Sequence, residues 1–120
     1  MSGHTPGSIG IITPDNILYS GDALFGLATL SKHPVLFYTD IQQTLITLKK
    51  LAMLLVNACV LYHGGMIEDV AGIVSQHEQK ILETKDVVFN MIQNNLISLD
   101  SLTQQVMQNT IFLEMLYRLL

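Results

Sequence analysis

Charge is scarce in this chain. Only 13% of its 120 residues are Asp, Glu, Lys or Arg, about half the roughly 25% of an ordinary soluble domain. Hydrophobic residues make up 49%, and the mean hydropathy is +0.40. A small domain has a proportionally large surface to hydrate. This balance therefore implies that part of the surface is covered by a partner chain or by further polypeptide. Basic residues are especially few. Six Lys and Arg stand against ten Asp and Glu, for a net charge of −4, and no electrostatic footprint for nucleic acid is present. Cysteine is nearly absent. The single Cys59 rules out an internal disulfide and suits a reducing compartment. Its apolar neighbours assign it to the core. No apolar run approaches the roughly 18 residues that cross a bilayer. The nearest, residues 51–62, follows Lys49-Lys50 and reads as a buried strand with its approach. Met1 leads into a polar glycine loop rather than a cationic, apolar leader, so a cytoplasmic location is expected. Repeats and low-complexity segments are also missing.

The elements that are present read as mixed α/β. Residues 9–13 and 17–20 are β-branched-rich runs separated by Pro14-Asp15-Asn16, which is turn chemistry and predicts a hairpin. Their near-continuous apolarity predicts cover on both faces. Residues 23–37 read as a loop with one helical turn, extended at His33-Pro34. Thr39 or Asp40 can cap a helix whose inward stripe would be Ile41, Leu45, Leu48 and Leu51 or Ala52. Residues 54–62 predict a second covered strand. With the helix between them, 17–20 and 54–62 form a strand–helix–strand unit in one sheet. A long helix is expected from Met66 to about Asn94, with Met66, Val70, Ile73, Val74, His77, Ile81, Val88, Phe89 and Ile92 inward. Ser98 or Asp100 would cap a helix over 99–108, with Leu99, Leu102 and Val106 inward. A last helix would run from Ile111 to Leu120 along Leu113, Leu116 and Leu120. The expected division is 1–95 as one unit and 96–120 as a helical tail.

Three ligand-type side chains stand at turns beside these elements. His4 lies in Gly3-His4-Thr5-Pro6-Gly7, Asp22 follows Ser20-Gly21 at a strand end, and His63 precedes Gly64-Gly65 after the later strand. Two imidazoles and a carboxylate are transition-metal donors. Each also has a plain reading: His4 as a loop residue, Asp22 as turn chemistry, His63 as a satisfied histidine at a helix start. His33 and His77 read as structural or surface residues.

In this order and with these neighbours, the "GHTPG", "SGD" and "HG" words resemble the C-terminal half of the metallo-β-lactamase superfamily. The resemblance spans residues 3 to about 94. It implies half of an αββα sandwich: a β-hairpin and a β-α-β unit, then a long helix and C-terminal helices. It also implies a hydrolase using one or two ions, zinc most often, iron or manganese in some members. His4 would ligate the first metal, Asp22 would bridge both, and His63 would ligate the second. Metal-bound hydroxide would attack an ester, thioester, phosphoester or amide.

The sequence departs from that family at one decisive place, since the "HxHxDH" ligands of the other half are absent. His33, before Pro34, and His77, mid-helix, do not replace them. Each ion would keep two protein ligands where zinc takes three or four, so zinc is expected to bind weakly or not at all to this chain alone. The expected partners are a second copy of the chain or a missing N-terminal half, with no membrane and no nucleic acid. The competing expectation is a non-catalytic helical interaction or oligomerisation module on a remnant scaffold.

Overall fold

The computed structural model describes residues 1–33, 35–94 and 98–108. Among these residues the fold is mixed α/β, with an open four-stranded sheet. The strands are β1 (Ile11–Ile12), β2 (Ile17–Tyr19), β3 (Ala58–Leu61) and β4 (Gly65–Ile67), side by side in that order. The helices are α1 (Leu27–Lys32), α2 (Ile41–Ala52) and α3 (Val70–Asn94), with α4 over residues 99–108.

The β1–β2 hairpin forms where the turn chemistry placed it. Asn16 takes a positive φ of 63°, which asparagine tolerates better than most residues. Its side-chain amide donates to the Leu55 carbonyl at 2.7 Å, and Asn57 Nδ2 donates to the Asp15 carbonyl at 3.1 Å. The turn is thereby tied to the approach of β3. Strands β2 and β3 run parallel, with Leu18 beside Cys59, as the strand–helix–strand unit requires. Asp40 caps α2 by accepting from the Gln43 amide at 2.9 Å. Ser98 does the same for α4, accepting from Ser101 N at 3.2 Å.

The core lies between one face of the sheet and helices α2 and α3. Leu18 and Cys59 from the sheet meet Leu48 and Leu51 of α2, and Val70, Ile73 and Val74 of α3. Burial pushes the Cys59 thiol pKa up, so it behaves as an inert apolar side chain.

Several expectations are corrected. Residues 65–67 are a strand, not the start of the long helix. Gly64 and Gly65 take φ of 136° and 75° and close a β3–β4 hairpin. The helix starts later, at Val70, because the Asp69 carboxylate accepts from Gly72 N at 2.9 Å. β3 is shorter than 54–62, since α2 and its terminal turn consume the chain up to Leu54.

The sheet is also not covered on both faces. Ile11, Tyr19, Val60 and Met66 are successive cross-strand partners on its outer face. Three of the four are exposed and Val60 is half-buried. On α2 the buried stripe is Thr44, Thr47, Leu48 and Leu51, with Ile41 exposed. The two threonines sit inside because their hydroxyls have partners: Thr44 donates to the Asp40 carbonyl at 2.8 Å and Thr47 to the Ser2 carbonyl at 2.7 Å. Phe89, Ile92 and Leu99 are exposed rather than inward. The expected helix over 111–120 and Pro34 lie outside the described residues.

Candidate metal centre

Parallel pairing of β2 and β3 places their C-terminal ends on the same edge of the sheet, about 5 Å apart. Each end carries one candidate donor. After β2, buried Ser20 continues the pairing by donating from N to the Val60 carbonyl at 3.2 Å. The chain then turns through a short 3₁₀ segment, Gly21–Ala23, which carries Asp22. After β3, Tyr62, His63 and Gly64 form the turn into β4. The two turns touch backbone to backbone. A Cβ on Gly64 would lie 2.9 Å from the Gly26 Cα, and one on Gly26 would lie 3.1 Å from the Gly64 Cα. Only paired glycines allow that approach, and it sets His63 beside Asp22.

His4 arrives from a different direction, on an N-terminal loop fastened to the start of α2. The Gly3 carbonyl accepts from Thr39 N at 2.8 Å, Asp40 N at 3.1 Å and Thr39 Oγ1 at 3.0 Å. Gly3 itself takes φ of 137° and lies against Thr44, where a Cβ would come within 2.7 Å of the Thr44 Cα. The His4 ring stands between two aromatic edges, Phe25 and Phe37, each with its centroid 5.6 Å away.

The three side chains converge. His4 Nε2 lies 4.0 Å from Asp22 Oδ2, and His63 Nε2 lies 3.9 Å from Asp22 Oδ1. One carboxylate therefore faces two imidazoles, one on each oxygen. The His4 ring is also oriented. Its Nδ1 is 3.0 Å from the Phe37 carbonyl, which can only accept, so Nδ1 carries the proton and donates. In the neutral ring this leaves the Nε2 lone pair directed at Asp22. Donation of the second ring nitrogen to a backbone carbonyl is how metal-binding histidines are commonly fixed. Exposure rises across the group, with the side chains of His4, Asp22 and His63 exposed by 20%, 38% and 66%.

The donor types fit a transition metal, but their number does not suffice. Among the described residues no group of three or more His, Cys, Asp or Glu is disposed to hold one ion. Each imidazole shares a single carboxylate oxygen with a prospective metal, giving two donors where zinc takes three or four.

His77 is not at this centre. It is fully buried on α3, with Nδ1 donating to the Ile73 carbonyl at 2.7 Å and Nε2 accepting from Phe25 N at 2.8 Å. Burial holds its pKa below the usual imidazole value, and nearby Lys80 adds to the depression. The unfolded chain binds the proton more readily than the native state does. Stability is therefore present above about pH 6.5 and falls as pH drops below it, by up to about 1.4 kcal/mol per unit. Urea melts at mildly alkaline and mildly acidic pH should show this loss, and His77→Gln should flatten it.

Sequence reasoning missed Phe25 and Phe37. Both lie in residues 23–37, which the sequence reads only as a loop with one helical turn. A cavity of about 440 Å³ opens elsewhere, between α2 and α3, lined by side chains such as Leu45, Ile81, Val88 and Phe89. None of His4, Asp22 and His63 lines it. Among the described residues no helix is long and apolar enough to cross a membrane. No protein-family model and no curated protein sequence matches the chain.

Proposed function

We propose that this chain is the C-terminal half of a metallo-β-lactamase-fold hydrolase and carries one side of a dinuclear metal site. One observation carries the reading: His4 and His63 direct their Nε2 atoms at opposite oxygens of Asp22, at 4.0 and 3.9 Å. A carboxylate with an imidazole on each oxygen is the arrangement a bridging ligand requires. In the completed enzyme His4 and Asp22 would hold one ion, and Asp22 and His63 the other. The ions would supply a hydroxide nucleophile near neutral pH. The remaining donors come from another stretch of polypeptide bearing the "HxHxDH" pattern, whether continuous with this chain or separate from it.

The cross-strand row Ile11, Tyr19, Val60 and Met66, exposed except at half-buried Val60, supports the same reading. A half-sandwich leaves one sheet face for a second layer to cover. In the absence of that layer, a second copy of the chain would cover it.

The test is co-expression with a polypeptide carrying the "HxHxDH" pattern, followed by esterase and phosphodiesterase assays with zinc. The expected result is a stable complex with activity that Asp22→Ala abolishes. Calorimetry on the 120-residue chain alone should show weak zinc binding or none. Tight, stoichiometric zinc on the lone chain would refute the half-site.

A further inference from the structure

His77 lies in the middle of α3, and the donor set does not use it. Its contacts nevertheless run straight towards that set. Its Nε2 accepts from Phe25 N at 2.8 Å, and its ring is stacked on the Phe25 ring at 5.9 Å with 14° between planes. The Phe25 ring then meets the His4 ring edge-on, at 5.6 Å and 79°. His77 is itself immobilised, since it is fully buried and its Nδ1 donates to Ile73 one helical turn back. Phe25 stands three residues after Asp22, just beyond the turn that delivers that carboxylate. A hydrophobic side chain would fill the same volume on α3. It could not accept the part-buried Phe25 N–H, and an amide left without a partner there is costly.

We propose that His77 is a positioning residue for His4. It fixes both the backbone and the ring of Phe25, and Phe25 sets the His4 imidazole against Asp22. The inference rests on the metal-centre reading for its functional meaning, but the geometry it asserts is testable without any metal. Leucine at position 77 keeps the bulk and loses the acceptor. Glutamine keeps an acceptor where Nε2 stands. Phe25→Leu keeps the amide and removes the ring.

The experiment is nitrogen-15 NMR of the His4 side chain in the full chain, metal-free, at mildly alkaline pH. In the native protein the two ring nitrogens of His4 should be widely split, as a single Nδ1–H tautomer requires. His77→Leu and Phe25→Leu should each collapse that split towards an average, and His77→Gln should restore most of it. Val74→Ala, a core truncation on the same helix, should lower the melting temperature and leave the split intact. An unchanged His4 spectrum in a folded His77→Leu or Phe25→Leu protein would overturn the proposal. So would an equal collapse in Val74→Ala. If His77→Leu does not fold, the Phe25→Leu result decides. Zinc titration of the native chain reports on the metal reading separately, so the two failures are distinguishable.

Discussion

Alanine in place of Gly3 should release the N-terminal loop from α2 and take His4 out of the centre. The residue sits at φ of 137°, and a Cβ there would lie 2.7 Å from the Thr44 Cα and 2.8 Å from its nitrogen. Neither atom belongs to a flexible side chain, so the helix cannot yield cheaply. Backbone strain and overlap together should cost on the order of 3 kcal/mol. The chain has a way to avoid that cost, which is to lift residues 1–8 away. Doing so breaks the three hydrogen bonds to the Gly3 carbonyl and strands the buried Thr47 hydroxyl, whose partner is Ser2. Amide exchange at Thr39 and Asp40 should then accelerate roughly a hundredfold. The contact between His4 Nδ1 and the Phe37 carbonyl should also disappear. Unaltered exchange at both amides would mean that the loop is not anchored as described.

Alanine in place of Gly64 should act on the other side of the carboxylate. Gly64 takes φ of 136°, and its Cβ would lie 2.9 Å from the Gly26 Cα. The β3–β4 turn and the loop after Asp22 would have to separate, and the 3.9 Å approach of His63 to Asp22 would be lost. The expected cost is about 2 kcal/mol or more, seen as a fall in melting temperature of roughly 10 °C. The signature beyond stability is selective. His63 should stop responding to Asp22→Asn, while His4, held from α2, continues to respond. Loss of response at both histidines would indicate general unfolding, and no change at either would contradict the glycine contact.

These two positions also show where the sequence was readable. His4, Asp22 and His63 could be singled out because each is a donor beside a glycine turn. The proximity of Asp22 and His63 followed from topology, since a helix-length connection makes β2 and β3 parallel; that of His4 did not, because its loop is held by the start of α2. The capping role of Asp40, the hairpin at Pro14-Asp15-Asn16 and the helix over 99–108 were legible for a similar reason, since local backbone chemistry decides them. β4 was not legible. Met66 falls in phase with Val70, Ile73 and Val74, so helical periodicity absorbs it. Only the backbone of Gly64 and Gly65 and the Asp69 cap separate the strand from the helix.

Cover on both sheet faces was expected because alternation is weak in 9–13 and 17–20. What those runs carry instead is Ile11 and Tyr19, the first two members of a cross-strand row that continues through half-buried Val60 to exposed Met66. The burial of Thr44 and Thr47 was hidden by their polarity, and becomes intelligible once each hydroxyl is seen to have a carbonyl partner. The hydrogen bond from Phe25 to His77 joins residues 52 positions apart. Nothing local announces it, and a histidine in the inward stripe of a helix looks like filler until its acceptor role is seen.

The central claim is that His4 and His63 share Asp22 as one half of a metal site. The most direct measurement is a zinc titration of the full chain followed by NMR at the imidazole nitrogens, repeated with Asp22→Ala. Zinc-induced shifts, weak at most, are expected at Nε2 of both histidines together and should be lost jointly when the carboxylate is removed. Shifts confined to one histidine, or shifts at both that survive Asp22→Ala, would contradict it.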